Sequence, residues 1–382
     1  MIAEAAQRNQ FCGVNKMPTK IVDTILPTTM VGSYPRPYWY HHQLLGRDIR
    51  VAFKEVRHEE AYQDATQAVI HDQEEAGLDI VTDGQMWFDD YSGVIGSFCW
   101  YMYERIPGFE QAKEPHPSEI GAAVRTKDIE LLADWGGVVN SGPVKRGPLR
   151  LADLYKIAAR SANRPVKVSV GAGPVNLAWH VYFQHYKDAR ALSSALAPIF
   201  NAEMKELVAA GAKFLQLEDL GAWLPLFTGN KDDYKWVADV IAQTIDGVNA
   251  KIGWHFCFGN AWGNSLTALI PSGYETVLPY FYDLPIDQFV LDFANREMAG
   301  IECLKSLPKD KEVQAGVLDV RTNIIESPEQ VASRIRKVLK VVPPERVYLS
   351  TDCGMKALPR IVARLKLKAL ADGAKIVRNE LA

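Results

Sequence analysis

Short apolar runs alternate along this chain with longer amphipathic stretches. The runs are "TTMVGSY" (28–34), "LDIVTDG" (78–84), "VKVSVGAG" (166–173), "FLQLED" (214–219), "KIGWHFC" (251–257), "FVLDFA" (289–294), "VQAGVLD" (313–319) and "RVYLSTDC" (346–353). Each has the length of a buried strand and is rich in β-branched or aromatic residues. Between them, segments such as 185–210 and 328–341 repeat apolar residues at spacings of three and four, the period of a helix with one buried face. Eight such alternations predict an α/β fold, a closed parallel (β/α)8 TIM barrel. A doubly wound open sheet would alternate in the same way, but no glycine-rich dinucleotide fingerprint follows the first run. The expected layout is a polar arm over 1–26 and a barrel over 27–382. Its second β/α unit is elaborated at about 86–165, where aromatics crowd "MWFDDYSGVIGSFCWYMYERI" and a further apolar run spans 137–144.

Unusual polar residues fall at the C-terminal ends of these runs. They are Ser33, Asp83, Gln85, Glu218, Asp219, His255, Cys257, Asp292, Asp319, Arg321, Asp352 and Cys353. In a parallel barrel these ends converge on one mouth, where active sites are built. Charged groups at the ends of buried strands are costly unless they pair or bind something, so one polar site at the mouth accounts for all of them.

His255 and Cys257 stand two apart on one strand and face the same way, with Phe256 turned oppositely. A lone His-x-Cys is more often core packing. Imidazole and thiolate are also the donors zinc prefers, and Cys353 at another strand end is the natural third. With it, a Zn2+ site outweighs packing.

Composition narrows the partners. Of 382 residues, 48% are hydrophobic and 23% charged, the profile of a globular chain, and the net charge of −3 gives no electrostatic reason to bind nucleic acid or an anionic membrane. No apolar run is long enough to span a bilayer, and the N-terminus lacks the apolar core of a secretory signal, so a cytoplasmic setting is expected. Five cysteines, an odd number scattered through the chain, argue against a disulfide framework. The expected partners are a small-molecule thiol and an alkyl donor, with a homo-oligomer left open.

The segments "MVGSYPRP", "GAGPVNLAW", "FLQLED", "HFCFGN" and "VLDVRTNIIESPEQVASRIRKVL…PPERVYLSTDCGMKALPR" occur in an order and spacing that resembles a known family. It is the catalytic barrel of cobalamin-independent methionine synthase, with its single-barrel relatives. The resemblance covers nearly all the chain from Pro27. The family's separate N-terminal barrel has no counterpart in these 382 residues. The resemblance implies zinc on His255, Cys257 and Cys353, which argues against the superfamily's zinc-free decarboxylase branch. It also implies substrate contacts at Ser33, Gln85, Glu218, Asp219 and Trp179. Zinc would convert a substrate thiol, mostly protonated at neutral pH, into a nucleophile for alkyl transfer to sulfur.

Four positions depart from the family pattern. Its fourth zinc ligand is a glutamate, where this chain has Asp292, with Glu297 as a second candidate. An acidic residue that would bind the homocysteine ammonium is Gln85 here, and an aspartate with the same task is Glu218. A histidine near the leaving group is Arg321, a residue suited to gripping an anion and poor as a general acid. Lost ammonium recognition and gained anion recognition point to coenzyme M opening a short aliphatic epoxide. The alternatives are methyl transfer from 5-methyltetrahydrofolate or another donor to homocysteine and, from a different class, a non-catalytic barrel that binds zinc and a thiol.

Overall fold

Nine strands are present among the described residues: β1 (Phe109–Gln111), β2 (Val138–Asn140), β3 (Lys167–Ala172), β4 (Val181–Phe183), β5 (Phe214–Glu218), β6 (Lys251–Phe256), β7 (Gln288–Asp292), β8 (Glu312–Leu318) and β9 (Val347–Thr351). The structure is a computed structural model and describes residues 19–40, 56–87, 93–111, 138–179, 181–256, 258 and 273–382. Six strands form one parallel sheet in the order β3-β5-β6-β7-β8-β9. The first two predicted runs contribute single parallel bridges, Thr28 to Leu349 of β9 and Val81 to Val166 beside β3. The N–H groups of Asp79 and Ile80 donate to the Thr28 carbonyl and join these two runs to each other. The ring therefore closes through eight positions into a (β/α)8 barrel, so that among the described residues both edge strands of the six-stranded sheet find a partner.

The chain between the second and third barrel positions carries the helix Gly93–Arg105, β1, β2 and the helix Leu151–Ser161. There β1 pairs antiparallel with β2, and β2 runs parallel to β4, making a small side sheet outside the barrel. Residues 1–18 of the expected arm and 112–137 of the elaborated stretch lie outside the described residues. The helices are framed by local chemistry. Ser327 and Gln330 form a reciprocal capping box at the start of Pro328–Leu339, and Asp188 caps Ala189–Ala209 by accepting from the Ala191 N–H. Among the described residues, no helix is long and apolar enough to cross a membrane.

The barrel interior is polar. Near its N-terminal end, Phe214, Tyr348 and Ile80 pack with Ile21 and Val22, while Lys251 meets Glu312 and donates to the Tyr348 hydroxyl (3.2 Å). One layer higher, Lys167 is fully buried and donates to Gln216 Oε1 (2.6 Å) and Gln314 Oε1 (3.0 Å). A buried ammonium is tolerated only where its N–H groups find acceptors. Burial lowers the Lys167 pKa to about 7, against the opposing pull of the Glu218 charge.

A depressed folded pKa has a definite sign. Between about pH 7 and the unfolded value near 10.5, the unfolded chain holds a proton that the fold has released, so stability rises with pH across that window and is lost as pH falls through about 7. Removing the amine in Lys167→Met is expected to abolish this share of the slope. Denaturant titrations at about pH 7 and about pH 9.5 should show the variant losing ground to the wild type at the higher pH. Parallel pH profiles for the two proteins would contradict it.

Candidate active site

Hydrogen bonds join the strand ends at the mouth into one frame. The Val31 N–H donates to Thr351 Oγ1 (3.1 Å), and the Thr351 hydroxyl donates to the Cys353 carbonyl (2.8 Å). The Met355 N–H donates to the Ser33 carbonyl (2.7 Å), which lays the first strand end along the turn after β9. A Cβ on Gly354 would stand 2.0 Å from Ser33 Oγ, so the absence of a side chain here leaves Ser33 Oγ its place beside the Cys353 turn. Gln85 arrives from the second strand end with a left-handed backbone (φ 53°), its amide over Gly32, whose absent Cβ would lie 3.1 Å from Gln85 Cδ.

Asp83 holds that conformation. Its carboxylate accepts from the Gln85 N–H (2.9 Å) and from Trp87 Nε1 (2.9 Å). Burial raises its pKa to about 6 in spite of both bonds. Asp83 thus positions Gln85, and Ser33, Gln85 and Cys353 are brought together.

His255, at the end of β6, is buried, and its Nδ1 lies 2.6 Å from Glu218 Oε2. The other carboxylate oxygen, Oε1, accepts from Gln216 Nε2 (2.6 Å), which also donates to the Val31 carbonyl (2.8 Å). A carboxylate only accepts, so the shared proton belongs to Nδ1, and Nε2 is the ring atom able to serve a metal. Continuous hydrogen bonding therefore runs from His255 through Glu218, Gln216, Val31 and Thr351 to Cys353. The Glu218 carboxylate, expected at a substrate ammonium, orients the histidine in this structure.

Asp219 also departs from its expected role. It is fully buried, and its oxygens accept from the N–H groups of Val175 (3.0 Å), Asn176 (2.9 Å) and Gly221 (2.8 Å). It caps two helical turns at once instead of facing a ligand, and burial raises its pKa to about 6. Asp352 behaves alike, accepting from the N–H groups of Phe293, Ala294 and Asn295. Its pKa is raised to about 8, first by burial and then by the Asp292 charge.

Asp292 is enclosed by the Tyr274 hydroxyl, Asn295 Nδ2 (2.6 Å) and Arg296 Nη1 (3.2 Å), so both of its oxygens already have partners. Coordination of a metal would require it to release one of them. Glu297 is exposed and left-handed (φ 54°) at the end of a short turn. Arg321 donates to the Asn295 carbonyl and meets Asp319 (3.4 Å), tying together the segments after β7 and β8. Trp179 ends a short helix and packs on Phe227, ring centroids 5.3 Å apart.

Several residues at the mouth were not anticipated. Tyr274, Trp223 and Phe258 form an aromatic wall, and Arg296 lies over the Phe258 ring at 4.1 Å. Lys167, Gln216 and Gln314 are interruptions within otherwise apolar runs, and that interruption was their legible signal. Cys257 lies outside the described residues, and among those that are described no three His, Cys, Asp or Glu side chains cluster closely enough to hold a metal. The donor chemistry nevertheless suits zinc: a buried thiol at Cys353, and an imidazole whose Nδ1 is already engaged by a carboxylate. Cys99, Cys303 and Cys353 form no disulfide, and burial pushes Cys303 up to about 12, as in an inert packing thiol.

Residues 26–114 and 133–376 match the family described as cobalamin-independent synthase, catalytic domain. The methionine synthase of Saccharolobus solfataricus is 33% identical over 364 residues, covering 94% of this chain and 96% of that protein. That of Sulfurisphaera tokodaii is 31% identical over 362 residues, covering 94% of each. Among solved structures, a B12-independent methionine synthase from Shewanella sp. W3-18-1 in complex with selenomethionine superposes with a TM-score of 0.75 at 28% identity. It spans 94% of this chain and 99% of that one.

Asp219→Ala would strand three buried N–H groups, each worth about 1–3 kcal/mol when left without an acceptor. Allowing for local relaxation, the expected loss is about 2–5 kcal/mol in a urea titration. A loss below about 1 kcal/mol would show that Asp219 is not the cap described here.

Proposed function

Because this chain belongs to the cobalamin-independent synthase catalytic-domain family, we propose that it transfers a methyl group to the sulfur of homocysteine without cobalamin. Its relatives are transferases, and it is one too. The observation that carries the proposal is the Glu218–His255 contact at the barrel mouth, in a chain that matches methionine synthases over nearly their whole length. The proposed donor set is His255, Cys257 and Cys353. Asp292 is left out because Tyr274, Asn295 and Arg296 already hold it. When bound, zinc supplies the positive charge that favours the thiolate form of a substrate thiol at neutral pH.

The chain's own residues do the rest. Glu218 accepts the Nδ1 proton of His255 and keeps the ring in one orientation. Ser33 and Gln85, fixed by Gly354 and Asp83, present a hydroxyl and an amide to the polar end of the amino acid. The aromatic wall of Trp223, Phe258 and Tyr274 excludes water from one side of the mouth. Proposed partners are the small thiol and a methyl donor, 5-methyltetrahydrofolate or another methylated compound, with Trp179 offered as a stacking surface for a ring-bearing donor.

A second reading rests on a specific observation. Glu218 is engaged by His255, and Gln85 carries no charge, so neither residue offers a carboxylate for the homocysteine ammonium. Coenzyme M, an anionic thiol with no amine, would suit such a mouth, with an epoxide as alkyl donor and Arg321 facing the sulfonate. The relatives favour methyl transfer.

Mass spectrometry of zinc-loaded enzyme with homocysteine plus methyl donor, and with coenzyme M plus epoxypropane, decides between them. Methionine formation is expected, and Cys353→Ser is expected to abolish it together with tight zinc binding. Turnover of the second pair only would overturn the proposal in favour of epoxide opening, and turnover of neither would overturn both readings of the substrate.

A further inference from the structure

We propose that Lys167, acting through Gln216, is the positioning residue that pins Glu218 onto His255 and so fixes which ring nitrogen carries the proton. The inference deepens the reading of His255 as a metal donor and rests on that reading for its functional meaning. The hydrogen-bond order itself stands on the contacts alone.

Lys167 Nζ carries two N–H donors as an amine and three as an ammonium, and in either state the amide atom that accepts from it is oxygen. Lys167 Nζ reaches two amides, Gln216 and Gln314, and meets Oε1 of each, at 2.6 and 3.0 Å. That choice turns both NH2 groups away. Gln314 Nε2 then donates to Ser350 Oγ (2.8 Å), and Gln216 Nε2 donates to the Val31 carbonyl (2.8 Å) and Glu218 Oε1 (2.6 Å). A flipped Gln216 would set its oxygen against a carbonyl and a carboxylate, and its NH2 against the ammonium. The first two contacts would be repulsive whatever the charge on Lys167, and the third while it is an ammonium, in a barrel interior where Lys167 and Gln216 have no exposure to water.

Glu218 inherits this order. Its Oε1 is taken by Gln216, which leaves Oε2 to accept from His255 Nδ1 at 2.6 Å. Histidine in water favours a mixture of tautomers, and a carboxylate held on Nδ1 selects one. The orientation set at Lys167, inside β3, thus reaches the mouth through two side chains, without Lys167 touching a substrate. It also keeps Glu218 turned away from any ligand ammonium.

The test uses the whole chain with 15N-labelled histidine, free of zinc, so that its readout does not depend on metal or turnover. Long-range proton–nitrogen NMR reports the tautomer of each imidazole, and a His255→Gln sample identifies the signals of His255. The wild type is expected to show one Nδ1–H form at His255. Lys167→Met should convert it to a mixture. Gln216→Glu, nearly isosteric and still able to pair with Lys167, removes the NH2 donor and should do the same while guarding against loss of the fold. Zinc affinity, measured by chelator competition, should fall about 10–100-fold in both. An unchanged Nδ1–H form in either folded variant, or affinity within about twofold of wild type in both, would overturn the proposal. If the tautomer shifts as expected but wild-type zinc does not contact His255, the positioning relay stands and the proposed function falls.

Discussion

Burying a lysine amino group inside a parallel barrel imposes a constraint that propagates upward. Lys167 has no water to turn to, and its Nζ donates to two oxygens, both of amides whose other ends must then donate. Gln216 passes this requirement to Glu218, and Glu218 passes it to His255. The same amide also donates to the Val31 carbonyl, whose residue donates in turn to Thr351 beside Cys353. One buried charge thereby couples the histidine and the cysteine expected to share a metal. A partly satisfied network of this kind would be worse than an apolar core, which explains why its members recur on several adjacent strands.

The second organising device is a set of buried carboxylates that accept backbone N–H groups. Asp83 shapes the turn carrying Gln85, Asp219 caps two helical turns after β3 and β5, and Asp352 caps the turn after β7. Each stands directly after a strand, where the chain leaves the sheet and loses its ladder partners. Tight glycine contacts accompany them: a Cβ on Gly173 would lie 2.4 Å from Asp219 Oδ2, and one on Gly316 would lie 2.3 Å from Asp352 Oδ1. These residues brace the turns of the mouth, and Ser33, Gln85, His255 and Cys353 are the side chains proposed to face the substrate and the metal.

Much of this was legible in the sequence. Periodicity located every barrel strand, because a strand covered on both faces must be apolar along its length, and six of the eight runs became the continuous sheet. The first two runs pair only at Thr28 and Val81, since their ends bend into the turns that seat Ser33 and Gln85. Convergence of polar residues at strand ends located the mouth. Roles were harder to read. A carboxylate that caps N–H groups and one that faces a ligand occupy the same sequence position, so Asp219 looked like a substrate contact until its three backbone donors were seen. The contact of Glu218 with His255 is not visible in the sequence, because the histidine lies on the next strand, a neighbour that no local pattern reveals. The enclosure of Asp292 is equally hidden, because Tyr274, one of the residues that hold it, comes from another segment. Lys167 and Gln216 were visible only as polar breaks in apolar runs.

The central claim is that His255 and the cysteines hold zinc with room for a substrate thiol. X-ray absorption at the zinc edge, with and without homocysteine, tests it most directly. Nitrogen and sulfur donors from the protein are expected, with one additional zinc–sulfur contact when homocysteine is added. A sulfur count that does not change on adding the thiol would contradict it.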